Sequence, residues 1–234
     1  MANQLLQNEV THVIFILDRS GSMAGHEADV IGGVNAYVEG LRTAPGAVGI
    51  SYVRFDNVAE LVWNDVALAD VPAMTSDDFL VRGSTALLDA IGKTISAVNA
   101  RDDHTYIVII HTDGHENAST EWTKKKVRAL LKERTQAGNW TFLFFGQDID
   151  AWAEAADAGF AAGNVKAYGA AERRGRYRMD SRMTSMMRAQ KIRSTQHWSA
   201  ASDAAERGAS DEEVIQILKG EQSGRSVSDD PNQA

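Results

Sequence analysis

The sequence predicts a doubly wound α/β fold, a mostly parallel sheet with helices on both faces. Two observations carry this. Three short, nearly unbroken apolar runs, Val13–Leu17, Tyr106–Ile110 and Trp140–Phe145, are rich in β-branched and aromatic residues. Runs of that length and composition are strands buried on both faces. Between them, apolar residues recur at the three-or-four spacing of helices. Strands alternating with helices give a parallel sheet sandwiched between helical layers, of the Rossmann-like kind.

In order along the chain, Val13–Leu17 is the first strand. Val30, Val34, Tyr37, Val38 and Leu41 mark one face of the first helix. Val48–Phe55 alternates and is the second strand. Asp56-Asn57 then reads as a turn into an antiparallel partner, Val58–Trp63. Leu87, Leu88, Ile91, Ile95 and Val98 form the next helical face. Tyr106–Ile110 is the fourth strand. Val127, Leu130 and Leu131 follow on a helix whose expected cap is Ser119. Trp140–Phe145 is the fifth strand. Trp152, Ala155, Ala156 and Phe160 predict a further helix, and Val165–Tyr168 a last strand.

The composition changes after Ala170. From Glu172 to Arg193 the chain carries eight basic residues, opposed only by Glu172 and Asp180. Met179, Met183, Met186 and Met187 share a helical face there. This stretch is expected to be the solvated side of an amphipathic helix whose Met stripe packs on the sheet or on another chain, with binding of nucleic acid or of an acidic partner as the weaker alternative. Ser210 and Glu213 form a capping box, Val214, Ile217 and Leu218 an apolar face, and Gly220 a stop. The expected organisation is one domain over 1–170, a helical extension over 171–220 and a disordered polar tail over 221–234.

The chain has 234 residues and no cysteine, and its formal charge is −8. Thiol catalysis, disulfides and Cys-ligated metals are excluded. The acidic balance argues against a nucleic-acid-coating protein. The first ten residues lack the basic and apolar regions of a secretory signal, and no apolar run is long enough to span a membrane. The expected location is cytoplasmic.

In open parallel sheets, ligands bind at the carboxyl ends of the strands. The residues there are Asp18-Arg19-Ser20-Gly21-Ser22 after the first strand and His111-Thr112-Asp113-Gly114 after the fourth. Arg82-Gly83-Ser84-Thr85 opens the helix between them. Asp18, Ser20, Ser22, Thr85 and Asp113 are all hard oxygen donors, suited to Mg²⁺, Mn²⁺ or Ca²⁺. In this order and context they resemble the metal-ion-dependent adhesion site of von Willebrand factor A domains, over roughly residues 11–168. The resemblance implies a six-stranded sheet in the order 3-2-1-4-5-6 with strand 3 antiparallel. It further implies a non-enzymatic, metal-dependent protein-binding module whose ion accepts an Asp or Glu of a partner protein. The absence of cysteine and of a signal is similar to the intracellular prokaryotic members, several of which serve AAA+ ATPases or assembly and stress-response complexes.

Other readings are weaker. A phosphotransferase built on Asp18 needs a second acid two residues on as general acid–base, and Ser20 stands there. Gly92-Lys93-Thr94 lacks the earlier glycine of a phosphate-binding loop and falls inside a helix. His111, Asp113 and His115 alternate as zinc ligands would, but no matching cluster appears elsewhere. A metal-dependent phosphoester hydrolase, and an assembly protein self-associating through Met183, Met186 and Met187, remain as alternatives.

Overall fold

The computed structural model describes residues 10–113, 115–146, 165–167, 170–193 and 196–221. The described strands are β1 (Val10–Asp18), β2 (Ala47–Phe55), β3 (Ala59–Ala67), β4 (His104–His111), β5 (Trp140–Gly146) and β6 (Val165–Ala167). They pair in the order β3-β2-β1-β4-β5-β6. Only β3 is antiparallel to its neighbour; the other pairings are parallel. The helices are α1 (Glu27–Leu41), α2 (Leu87–Ala97), α3 (Lys124–Gln136), α4 (Ala170–Ala189), α5 (Trp198–Glu206) and α6 (Asp211–Leu218). The expected helix around Trp152–Phe160 and most of the expected tail lie outside the described residues.

The unbroken apolar runs are explained by the two cores. Val13, Phe15 and Leu17 of β1 pack with α1, α4 and α6 on one face, while Ile14 and Ile16 pack with α2 and α3 on the other. β4 divides in the same way, with Ile107 and Ile109 on the first face and Val108 and Ile110 on the second. Alternate side chains point to opposite sides of a strand, so a strand covered on both faces must be apolar at every position.

Described residues of α4, α5 and α6 share this core. Tyr177, Met183 and Met187 of α4 are buried with Tyr37 and Val34 of α1. The Tyr37 hydroxyl lies 2.7 Å from Thr184 Oγ1, and Ser181 Oγ donates to the Tyr37 carbonyl at 2.9 Å. Two glycines of α1 permit the approach. A Cβ on Gly33 would sit 2.5 Å from the Tyr177 ring, and one on Gly40 would sit 2.0 Å from Ser181 Oγ. The basic residues of α4 serve the same packing. Arg176 is buried and donates to Asp180, Glu206 and Ser202. Arg188 donates to the carbonyls of Leu41, Ala44 and Gly46 and so caps the end of α1. The expected solvated face thus spends Arg176 and Arg188 inside the molecule.

One expected cap is corrected. α3 is capped by Thr123, whose side chain accepts from the Lys126 N–H at 3.3 Å. Ser119 is committed elsewhere: its hydroxyl donates to Glu116 and accepts from the Asp89 N–H. The Ser210–Glu213 capping box and the left-handed Gly220 that ends α6 match the expectation. No described helix is long and apolar enough to cross a membrane.

The close α1–α4 approach is testable by paired substitutions. Gly33→Ala should lower unfolding stability by about 1–3 kcal/mol through overpacking. Gly175→Ala, where no atom lies within 4 Å of the added Cβ, should raise it by about 0.5–1 kcal/mol through helix propensity. Urea denaturation of both variants measures the contrast.

Candidate functional site

β1 and β4 are adjacent and parallel, so Asp18 and the His111–Asp113 segment emerge side by side. Asp18 is wholly buried. Its Oδ1 accepts the Ser20 N–H at 2.7 Å and its Oδ2 accepts the Thr112 hydroxyl at 2.5 Å. Ser20 Oγ lies 3.1 Å from Ser22 Oγ, and Ser22 Oγ donates to Asp113 Oδ1 at 2.8 Å. Four of the five expected residues therefore form one continuous hydrogen-bonded chain, closed from both strands.

Thr85 comes from the loop ahead of α2, which is laced onto the β1 loop. The Gly21 N–H donates to the Gly83 carbonyl at 3.1 Å, and the Arg82 N–H donates to the Arg19 carbonyl at 2.7 Å. Gly83 is required: its φ is +76°, and a Cβ there would meet Asn57 Oδ1 at 2.4 Å. Thr85 is 2% exposed. Its N–H donates to Asn117 Oδ1 at 2.9 Å, and its carbonyl accepts the N–H groups of Asn117 and Ala118. Thus the segment after Asp113 fixes Thr85, and the two loops are oriented by each other.

The electrostatics single out Asp18. Burial pushes its carboxyl up to about 6, and the nearby Asp113 charge adds to this, against the hydrogen bonds from Thr112 and Ser20. Asp56, at the end of β2, is also buried and ends with the opposite shift. Burial pushes it up, but hydrogen bonds from Arg82 and the Val58 N–H, with the charge of Arg19, outweigh that and hold it below the usual carboxylate range. Arg19 Nε and Arg82 Nε both donate to Asp56 Oδ2, at 3.0 and 2.7 Å, and both side chains reach Glu60 Oε1. Asp56 is thus neutralised by arginines, whereas Asp18 is held by neutral donors and faces a second carboxylate through two hydroxyls.

Two carboxylates and three hydroxyls are the donor set a hard divalent cation takes. A cation would relieve the desolvation and like-charge repulsion at Asp18. Among the described residues no three His, Cys, Asp or Glu side chains form a metal-ligating cluster. An ion held here would therefore depend on the hydroxyls as well as the acids. His111 turns away: its Nδ1 lies 3.0 Å from the Tyr177 hydroxyl, tying β4 to α4. His115 is exposed.

The sequence reading missed the supporting residues. Thr112, Asn117, Arg19, Arg82 and Asp56 position the site. Arg19, Asp56 and Thr112 are signalled only by adjacency to strand ends, and Arg82 and Asn117 lack even that signal. Which neighbour turns inward depends on loop geometry.

No protein-family model matches the sequence, and no curated protein matches it. Solved structures do. The chain superposes on the vWF domain of the type V pili tip protein Mfa5 from Porphyromonas gingivalis with a TM-score of 0.60 at 11% identity, covering 77% of this chain and 97% of that one. Manganese-loaded TRAP protein of Plasmodium vivax gives 0.52 at 16%, covering 73% and 74%. A von Willebrand factor type A protein from Catenulispora acidiphila gives 0.52 at 17%, covering 76% of this chain and 43% of that one. The fold is that of von Willebrand factor type A domains. Likeness at these identities establishes the fold alone. The chain spans less than half the length of the Catenulispora protein.

The raised Asp18 carboxyl predicts a pH effect on the metal-free protein. A carboxyl raised from 3.8 to about 6 on folding favours the folded state while protonated, and that contribution is lost as pH rises through about 6. Asp18→Asn removes the ionisation. In EDTA at pH 7.5 the variant should be the more stable, by at most about 3 kcal/mol. The difference should vanish as pH falls from 6 toward 4. Thermal unfolding of both proteins across this range checks it.

Proposed function

We propose that this protein is a metal-dependent protein-binding module. Asp18, Ser20, Ser22, Thr85 and Asp113 hold a divalent cation, Mg²⁺ or Mn²⁺ or Ca²⁺, directly or through water. The observation that carries this is the Asp18–Ser20–Ser22–Asp113 chain of oxygen donors at the carboxyl end of the sheet. The fold shared with a manganese-loaded protein supports the same reading.

The ion supplies a fixed positive charge able to accept a carboxylate from outside. The chain's own residues do the rest. Asp18 is held in place by Thr112 and the Ser20 N–H. Ser22 sits at the exposed edge, bonded to the half-buried Asp113. The partner recognised is a protein presenting an accessible Asp or Glu. An adaptor role toward an AAA+ ATPase or an assembly complex is one form this binding takes. A hydrolase would need a general acid–base at the Ser20 position, and Ser20 Oγ is instead hydrogen-bonded to Ser22. Self-association through the methionines of α4 is disfavoured because Met183 and Met187 lie in this chain's own core.

Two measurements test the proposal. Calorimetric titration with Mn²⁺ should find one site in the wild type, none in Asp18→Ala, and at least tenfold weaker binding in Asp113→Ala. A pull-down comparing wild type and Asp18→Ala, in Mg²⁺ and in EDTA, should retain a partner only with wild type and Mg²⁺. Retention of the same proteins in all four conditions would overturn the metal-dependent reading.

A further inference from the structure

The apolar character of the central strands breaks down at the end of the sheet opposite the candidate site. On the face that packs against α2, Ile14, Val53 and Tyr106 give way toward that end to His12, Ser51 and His104. α2 ends at Ala97, and a cleft of about 530 Å³ lies at this corner, with the last turns of α2 on one side and β3 on the other. Small-molecule sites span about 300–1,000 Å³. His12 precedes Asp18 by six residues on β1, which is about 20 Å along the strand.

The cations that line the cleft are already matched. Lys93 Nζ lies 2.7 Å from Glu121 Oε1, and Arg101 donates twice to Asp103. Asp65 differs. The basic side chain near its carboxylate is His12, whose Nε2 is 3.7 Å from Asp65 Oδ1 and 2.9 Å from Ser51 Oγ. Burial holds the His12 imidazole below its ordinary range against the pull of the Asp65 charge, and His104 adds to the lowering. His12 is therefore uncharged at neutral pH. Among the described residues, Asp65 is left without a charged partner.

Three features hold that carboxylate at the wall of the cleft. The Asp65 backbone is left-handed, with φ +48°, a conformation uncommon for a residue other than glycine. Its N–H donates to Ser51 Oγ at 2.9 Å. Gly49 of the neighbouring β2 leaves room for it: a Cβ there would lie 1.8 Å from Asp65 Oδ1. Around this fixed charge the lining is apolar at Ile14, Val53, Leu61 and Val98. Leu61 is 58% exposed, so a ligand with an apolar body would remove its surface from water.

We propose that this cleft binds a small organic monoamine, with the ammonium group paired to Asp65 and the apolar body laid against Ile14, Val53 and Leu61. A metal ion matches it less well, because among the described residues no three His, Cys, Asp or Glu side chains form a ligating cluster. An anion would meet the Asp65 charge, while Lys93 and Arg101 are held by the chain's own acids. The site lies at the other end of β1 from Asp18 and does not depend on metal binding there.

Calorimetric titration with tryptamine, phenethylamine and hexylamine tests the proposal. Indole-3-propionate serves as the comparison, since it carries the tryptamine ring with the opposite charge. The proteins are wild type, Asp65→Asn and Leu61→Ser. Asparagine keeps the N–H that Ser51 accepts and tolerates the left-handed backbone, so thermal unfolding of Asp65→Asn should match wild type. At least one amine should bind wild type, at least fivefold more tightly than it binds Asp65→Asn. The same amine should bind Leu61→Ser more weakly than wild type, and indole-3-propionate should bind wild type more weakly than tryptamine does. Binding of none of the three amines, or equal amine affinity in Asp65→Asn, would overturn the proposal. So would unchanged affinity in Leu61→Ser, which places the amine outside the cleft, or tighter binding of the acid.

Discussion

A carboxylate buried at the end of β1 and held, among the described residues, by neutral donors is the constraint around which the functional end of the molecule is arranged. Asp18 is wholly buried, and ionising it there costs free energy that hydrogen bonds from Thr112 and Ser20 only partly offset. The neighbouring Asp56 shows the alternative. Two arginines share its Oδ2 and keep it charged at little cost. The same fold thus carries one acid that is already neutralised and one that a cation would stabilise, a few residues apart in space along adjacent strands. Retaining an unpaired buried acid lowers stability unless something uses it.

The support of that carboxylate runs through most of the structure. Parallel pairing of β1 with β2 and β4 fixes where Asp18, Asp56 and Asp113 emerge. The shared Arg19–Arg82 clamp on Asp56 and Glu60 joins the β1 loop to the loop bearing Thr85. Asn117 then joins Thr85 to the segment after Asp113. On the far side, His111 reaches Tyr177 of α4, and Tyr177 lies against Gly33 of α1. The C-terminal helices therefore brace the strand that carries Asp113.

Much of this architecture was legible in the sequence because burial on both faces leaves a strong signature. Ile14 and Phe15 face opposite cores, and only a doubly covered strand demands apolar residues at both. The antiparallel β3 was legible from the Asp56-Asn57 turn, where the Val58 N–H donates to Asp56 Oδ1. The candidate site residues were legible as polar residues interrupting apolar runs at strand ends. What escaped was everything decided by tertiary contact. Ser119 has the chemistry of a cap, but Glu116 and Asp89 claim it. Arg176 has the look of a surface residue, yet Asp180 and Glu206 make it a core one. Gly33 and Gly40 read as ordinary helix residues until α4 is laid against them.

The most direct test is anomalous diffraction from crystals soaked in Mn²⁺. Metal binding at the end of β1 predicts one strong anomalous peak within coordination or single-water distance of Asp18, Ser20, Ser22, Thr85 and Asp113. Absence of that peak with the loops ordered, or a peak elsewhere alone, would contradict metal binding by these five residues.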